Sequence, residues 1–273
     1  MNIDLRDEVL SQYDEYLNDE LAEHYNRGAL GGFGQYNVLA HLSTYFNNST
    51  IIDYGTGIEG VSARALAYNE TNTVYSYDIE FSKNAAAHFK SFDNIVYDIF
   101  DPIKSPQDQE ILLSSPFISL DVDPHDGIQE RKICDFLIDN EWDGIMVCDD
   151  VNIGPHGGMI EFWESIEQLK YDLTSTTYAH HTGTGIICFG DHLVLSASTR
   201  ENYGTFEDYI NIYGEGRLPG LVVKEDGTFS VSKEGFSDIK GTWGFSPNNK
   251  DMVRWVSDDG TVAECHRSNL ITD

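Results

Sequence analysis

At 273 residues, 40% of them hydrophobic, the chain can bury a substantial core as one large domain or as one domain with an appendage, which excludes a disordered chain. Forty-six acidic against seventeen basic residues leave a formal net charge of -29, and this argues against a nucleic-acid partner, because phosphates are held by clustered Lys and Arg. No stretch approaches about eighteen apolar residues, and MNIDLRDEVL has neither the basic nor the apolar region of a leader, so a soluble cytoplasmic protein with no membrane partner is expected.

In chain order, Leu5, Val9, Leu10, Tyr13, Leu17 and Leu21 recur at helical spacing in a very acidic segment and predict an amphipathic helix with a solvated outer face. RGALGGFGQY interrupts it, and residues 36–46 resume the helical period. Ile51 and Ile52 then lead into Gly55, Gly57 and Gly60, spaced G-x-G-x-x-G, followed by Ser62, Ala63, Ala65 and Leu66; this is a strand, a tight turn and a helix. From residue 51 to about 198, short β-type runs (73–77, 94–97, 117–120, 144–147) alternate with helical segments such as 128–140 and 160–169. Residues 174–179 and 185–189 read as a closing pair of strands around HHTGTG. The fold class is α/β, a Rossmann-like, mainly parallel sheet with helices on both faces.

After about residue 201, five short runs (221–223, 228–231, 242–245, 252–256 and 261–264) are separated by EDGT, SPNN and SDDGT turns. They predict a small antiparallel β appendage, giving a domain over 1–200 and a β-rich region over 201–273. Trp243 and Trp255 within it are read as core residues or as a recognition surface. Cys134, Cys148, Cys188 and Cys265 form no C-x-x-C pair and are expected to be reduced and buried.

The glycine loop is suited to a nucleotide, because glycine admits positive φ and close approach while the following helix offers free N–H groups. Asp53, two residues before Gly55, would repel a pyrophosphate but attract the ammonium and sulfonium charges of S-adenosylmethionine. The second strand ends at Asp78, where an acid can take both ribose hydroxyls, and the third ends at Asp98, placed for an adenine amino group. With these residues the chain resembles class I S-adenosylmethionine-dependent methyltransferases, and residues 36–46 are placed to close over the cofactor.

Two further strand ends are acidic: Asp121 and Asp123 follow the run at 117–120, and Asp149 and Asp150 follow 144–147. Neither Lys nor Arg occurs between Lys132 and Lys170, and a hard divalent cation, Mg2+ or Mn2+, on Asp121, Asp149 and Asp150 would relieve the cluster. CDDV at 148–151 looks like the metal-binding acid pair of catechol O-methyltransferase-like enzymes, and LDVD at 120–123 is similar to the motif of macrocin O-methyltransferase-like sugar O-methyltransferases. That resemblance implies a metal ligand at Asp121 and a general base at Asp123. The departures are Glu59 in the glycine loop, a loop one residue longer than the catechol type, and PHDG after Asp123, which introduces His125 as a rival base.

His156, His180 and His181 lie in glycine-containing segments near the same strand ends, the last two as structural residues or substrate contacts; Phe162, Trp163 and Tyr171 are spaced as core. The expected function is metal-dependent methyl transfer to a hydroxyl of a small-molecule or glycan acceptor, a sugar or glycoside first and a catechol equally able to chelate. A NAD-binding oxidoreductase, a cephalosporin hydroxylase-like enzyme and a non-catalytic glycan-binding protein are the alternatives.

Overall fold

The structure is a computed structural model describing residues 2–20, 34–99, 101, 103–152, 158–174, 176, 178–180, 182–190, 194–197, 221–223, 228–231, 239–246, 249–258 and 262–266. Its central feature is a seven-stranded sheet built of β2 (Thr50–Tyr54), β3 (Thr73–Asp78), β4 (Ile95–Ile99), β5 (Phe117–Leu120), β6 (Ile145–Asp149), β7 (Leu169–Asp172) and β8 (Thr184–Cys188). The spatial order is β4-β3-β2-β5-β6-β8-β7. The strands β4 to β6 are mutually parallel, while β8 runs antiparallel to both β6 and β7.

Adjacent apolar residues in each central strand point to opposite faces. Ile51, Phe117, Ile145 and Ile186 enter one core, which the N-terminal helices cover; Ile52, Ile118, Met146 and Ile187 enter the other. The first face carries α1 (Asp7–Leu10), α2 (Asp14–Glu20), α3 (Gly34–Ser43), α4 (Val61–Leu66) and α5 (Lys83–His88). The second carries α6 (Pro106–Ser114), α7 (Ile128–Asp139) and α8 (Gly158–Ser165), through Leu112, Ile133, Leu137, Met159, Phe162 and Trp163. Three layers follow, as a sheet apolar on both sides requires.

The N-terminal helix expected from Leu5 onward is corrected. Residues Asn2–Leu5 form strand β1, paired in parallel with β9 (Val194–Ala197), and a 3-10 turn at Ser11–Tyr13 separates α1 from α2. Ile3 and Leu5 are buried with a period of two, and of this pair only Leu5 belongs to the helical series; Leu21 lies outside the described residues. Nearby, Asn37 donates to the Leu10 carbonyl at 3.0 Å and to Asp14 at 2.6 Å, seating these helices on α3. Asn72, 1% exposed, donates to the Ser43 and Phe46 carbonyls and fastens the end of α3, which stops at Ser43 rather than continuing to 46.

A second correction concerns the closing strands. The partner of β8 is β7 at Leu169–Asp172, not residues 174–179, and the preceding helix is α8, ending at Ser165 rather than at 169. Lys170 donates to the carbonyls of Trp163, at 2.5 Å, and Ile166, at 3.0 Å, so it caps the helix from the strand.

The C-terminal runs form a separate antiparallel meander, β10 (Leu221–Val223), β11 (Thr228–Val231), β12 (Ile239–Ser246), β13 (Asn249–Ser257) and β14 (Val262–His266), hydrogen-bonded in chain order. Trp243 and Trp255 are cross-strand partners; Trp255 is fully buried against Phe229. Cys134, Cys148 and Cys188 are buried and unpaired, and the side chain of Cys265 lies outside the described residues. No helix among the described residues is long and apolar enough to cross a membrane.

Candidate active site

The sheet reverses its direction of growth between β2 and β5, so the crevice beyond their carboxyl ends is where a ligand would settle. The loop leaving β2 carries the three glycines, all at positive φ: Gly55 at 108°, Gly57 at 65° and Gly60 at 63°. Their roles differ. A Cβ on Gly55 would lie 1.6 Å from the Asp121 carbonyl oxygen and one on Gly60 2.3 Å from the Phe89 ring, whereas one on Gly57 would meet nothing within 4 Å. Gly55 and Gly60 are packing positions, and Gly57 faces open space.

The loop folds across β3, the Gly55 and Thr56 amides donating to the Tyr77 carbonyl at 2.9 and 3.2 Å. Asp78 takes the Gly57 amide at 2.9 Å on Oδ2 and the Glu80 amide at 3.2 Å on Oδ1, so it braces the glycine loop. Asp98 stands exposed in β4, opposite Tyr77 in register, and accepts from the Ile99 amide. Exposed Ile79, Phe81 and Ile99 surround these two strand ends with apolar surface. Glu59 meets His88 at 3.1 Å and Asn84 at 3.3 Å, which fastens the glycine loop to α5 and accounts for an acid at that position.

Asp53 is 1% exposed beneath the loop, where it accepts from Ser76 at 2.6 Å; the Ser76 hydroxyl in turn meets Thr56 at 2.7 Å. Burial pushes its carboxyl up to about 7, against the hydrogen bonds of Ser76 and Ser62.

Across the crevice, the ends of β5 and β6 bring the predicted acids together with two histidines. His125, at φ 55°, places Nε2 3.3 Å from Asp123, 3.4 Å from Asp150 and 3.9 Å from Asp121. His180 places Nδ1 3.0 Å from both Asp149 and Asp150, and Thr182 donates to Asp150 as well. Among the described residues, potential ligand atoms therefore converge in two groups, Asp121–His125–Asp150 and Asp149–Asp150–His180, with Asp121 and Asp149 in different groups.

The charges of this cluster are interdependent. Burial of His180 opposes its protonation, but Asp149 and Asp150 outweigh it and raise the ring well above its ordinary value. Burial likewise opposes the charge of Asp150, yet the His180 contacts and Thr182 hold it below the usual carboxylate range. Asp121 is pushed well above that range by desolvation and then by the charges of Asp149 and Asp150. Asp123, its side chain 93% exposed, is the outermost acid.

Helix α3 closes the top of the crevice. Gln35 donates to Asp149 Oδ2 at 3.0 Å and accepts from Thr184 at 3.3 Å. Tyr36 is pushed above the ordinary phenol value by burial, then by Asp149 and Asp121. Sequence reasoning placed this helix but singled out neither residue, and it read His180 as a packing or substrate group; only the fold joins positions 35 and 180 to 149. His156 and His181 lie outside the described residues. Beside the cluster, an open surface cleft lies between the first turns of α7 and α8, lined by Gly127, Ile128, Arg131, Lys132, Glu161 and Phe162 among others.

No family model matches the sequence, and no curated protein matches it. Among solved structures the chain is similar to the S-adenosylhomocysteine-bound Podospora anserina methyltransferase PaMTH1, with 16% identity, 68% of this chain and 97% of that chain covered and a TM-score of 0.43. It is also similar to an RNA methyltransferase from Salinibacter ruber in complex with S-adenosylhomocysteine (13% identity, 58% and 92% covered, TM-score 0.39). A third is precorrin-6y C5,15-methyltransferase from Geobacter metallireducens (17% identity, 56% and 86% covered, TM-score 0.39).

Proposed function

We propose that this chain is an S-adenosylmethionine-dependent methyltransferase acting, with a divalent cation, on a hydroxyl of a small molecule, a sugar or glycoside. One observation carries the reading: the Gly55 Cα abuts the Asp121 carbonyl, so the nucleotide cradle and the acid–histidine cluster share a single wall. A donor in the cradle and an acceptor on the cluster would thus be neighbours, which is what displacement between two bound molecules requires.

The residues suit both groups. Gly57 leaves room for a ligand, Asp78 stands at the strand end where a ribose is held, and the acids favour a cationic sulfonium over the pyrophosphate of a dinucleotide. Asp121 and Asp150, backed by Asp149, offer the carboxylate oxygens that hold a divalent cation. When bound, S-adenosylmethionine supplies an activated methyl group and the cation lowers the pKa of a coordinated hydroxyl. Asp123, exposed at the mouth of the cluster, receives the acceptor's proton on its carboxylate. Gln35 and Tyr36 exclude water from above, and the open cleft beside α7, with Arg131, Lys132 and Glu161 along it, offers polar surface to the rest of an acceptor.

Calorimetry with S-adenosylhomocysteine and with NAD tests the donor. The homocysteine ligand should bind and lose affinity in Asp78→Ala; binding of NAD alone would overturn the reading. On vicinal-diol acceptors, Asp123→Asn should lower kcat by about 10²-fold or more while donor affinity stays unchanged.

A further inference from the structure

We infer that His125, with Asp121 and Asp150, is a direct ligand of the cation, and that this nitrogen makes the site select a first-row transition ion over magnesium. The inference rests on the function proposed above and goes beyond it by naming the ligand set and the class of metal.

The carboxylates alone would suit magnesium, a hard ion that keeps oxygen ligands. The fold does not bring Asp121, Asp149 and Asp150 into one group, however; it interposes His125. The His125 ring makes no side-chain hydrogen bond among the described residues, although three carboxylate oxygens lie 3.3 to 3.9 Å from Nε2. The 3.4 and 3.9 Å to Asp150 and Asp121 both fall short of the ~4.2 Å spanned across an ion about 2.1 Å from each ligand, so an ion can touch the ring together with either oxygen.

Asp150 supplies an independent indication. It is 6% exposed and uses Oδ1 for His180 and Thr182, while Oδ2, turned to His125 at 3.4 Å, has no hydrogen bond among the described residues. With Oδ1 engaged, Oδ2 is the oxygen left for an ion on the crevice side. The other group is already satisfied: His180 bonds both acids, and Gln35 takes the second oxygen of Asp149. One mixed nitrogen–oxygen site therefore faces the crevice, with a hydrogen-bonded Asp149–His180 pair behind it. Imidazole binds Mg2+ poorly and suits Mn2+ and the later divalent ions increasingly well.

The test uses the full-length protein without donor or acceptor. Pulsed electron paramagnetic resonance of bound Mn2+ should show coupling to a histidine nitrogen that persists in His180→Ala and disappears in His125→Asn. Asparagine accepts the positive φ at this position and offers only oxygen to the ion. Calorimetry should show Mn2+ bound more tightly than Mg2+, with that preference reduced about tenfold or more in His125→Asn. Absence of nitrogen coupling in the parent protein, its survival in His125→Asn, or equal affinity for the two ions would overturn the ligand assignment while leaving a metal site. Failure to bind Mn2+ at all would remove the cation from the proposed function too, and S-adenosylhomocysteine binding would report on the donor separately.

Discussion

Asp53 shows how far one side chain's surroundings can move its chemistry. The sequence places a carboxylate before the glycine loop; the fold buries it under that loop and raises its pKa to about 7. An acid whose native pKa exceeds its unfolded value favours the folded state while protonated. Its contribution is complete below about 4 and is lost as pH rises through about 7, because the unfolded chain releases its proton first. Asp53→Asn retains an acceptor for Ser76 and removes the titration. Urea unfolding should therefore show the variant gaining on the parent protein between pH 4 and pH 8, by up to about 4 kcal/mol. A stability difference independent of pH would sink this account. A bound cation such as a sulfonium would instead favour the ionised acid, so donor binding and loss of this proton should be linked.

At the scale of elements, the strand–turn–helix around Gly55, Gly57 and Gly60 separates packing from binding. Gly57→Ala meets no neighbour and pays only for positive φ, so the protein should fold with a loss of about 1 kcal/mol while affinity for S-adenosylhomocysteine drops about tenfold or more. Gly60→Ala drives a methyl into Phe89 and should lower the melting temperature much more than Gly57→Ala does. Equal melting temperatures for the two variants would contradict this division. Strands β2 to β6 were legible because each is a short apolar run bounded by turn residues, and the convergence of their acidic ends follows from parallel direction. The strands β1 and β7 were not. Leu5 fits the helical series with Val9 as well as the alternation with Ile3, and what decides is β9, far along the chain. LKYD at β7 has only one strongly apolar residue, half exposed at a sheet edge, and so gives no pattern to read. The acids of the site could be read from the sequence, but not their division between His125 and His180, because the second histidine arrives through the β7–β8 turn.

For the molecule as a whole, a net charge of -29 is the dominant electrostatic fact. Self-repulsion opposes compaction, and the screening length shrinks from about 30 Å at 0.01 M salt to about 3 Å at 1 M. Raising sodium chloride across that range should increase the melting temperature by a few degrees, since each ~1 kcal/mol is worth roughly 2–4 °C in a protein of this size. A decrease would mean that ion pairs such as Arg6–Asp4 and Lys104–Asp101 outweigh the repulsion. The β1–β9 ladder sets a different kind of limit, one of timing on the ribosome. Asn2–Leu5 is synthesised before the other described strands, yet its partner, Val194–Ala197, emerges about 190 residues later, roughly 10–40 s at ordinary elongation rates. Throughout that interval a nascent chain carries an unpaired apolar strand, and a chain arrested just before Val194 should be captured by chaperones far more readily than one released beyond Ala197.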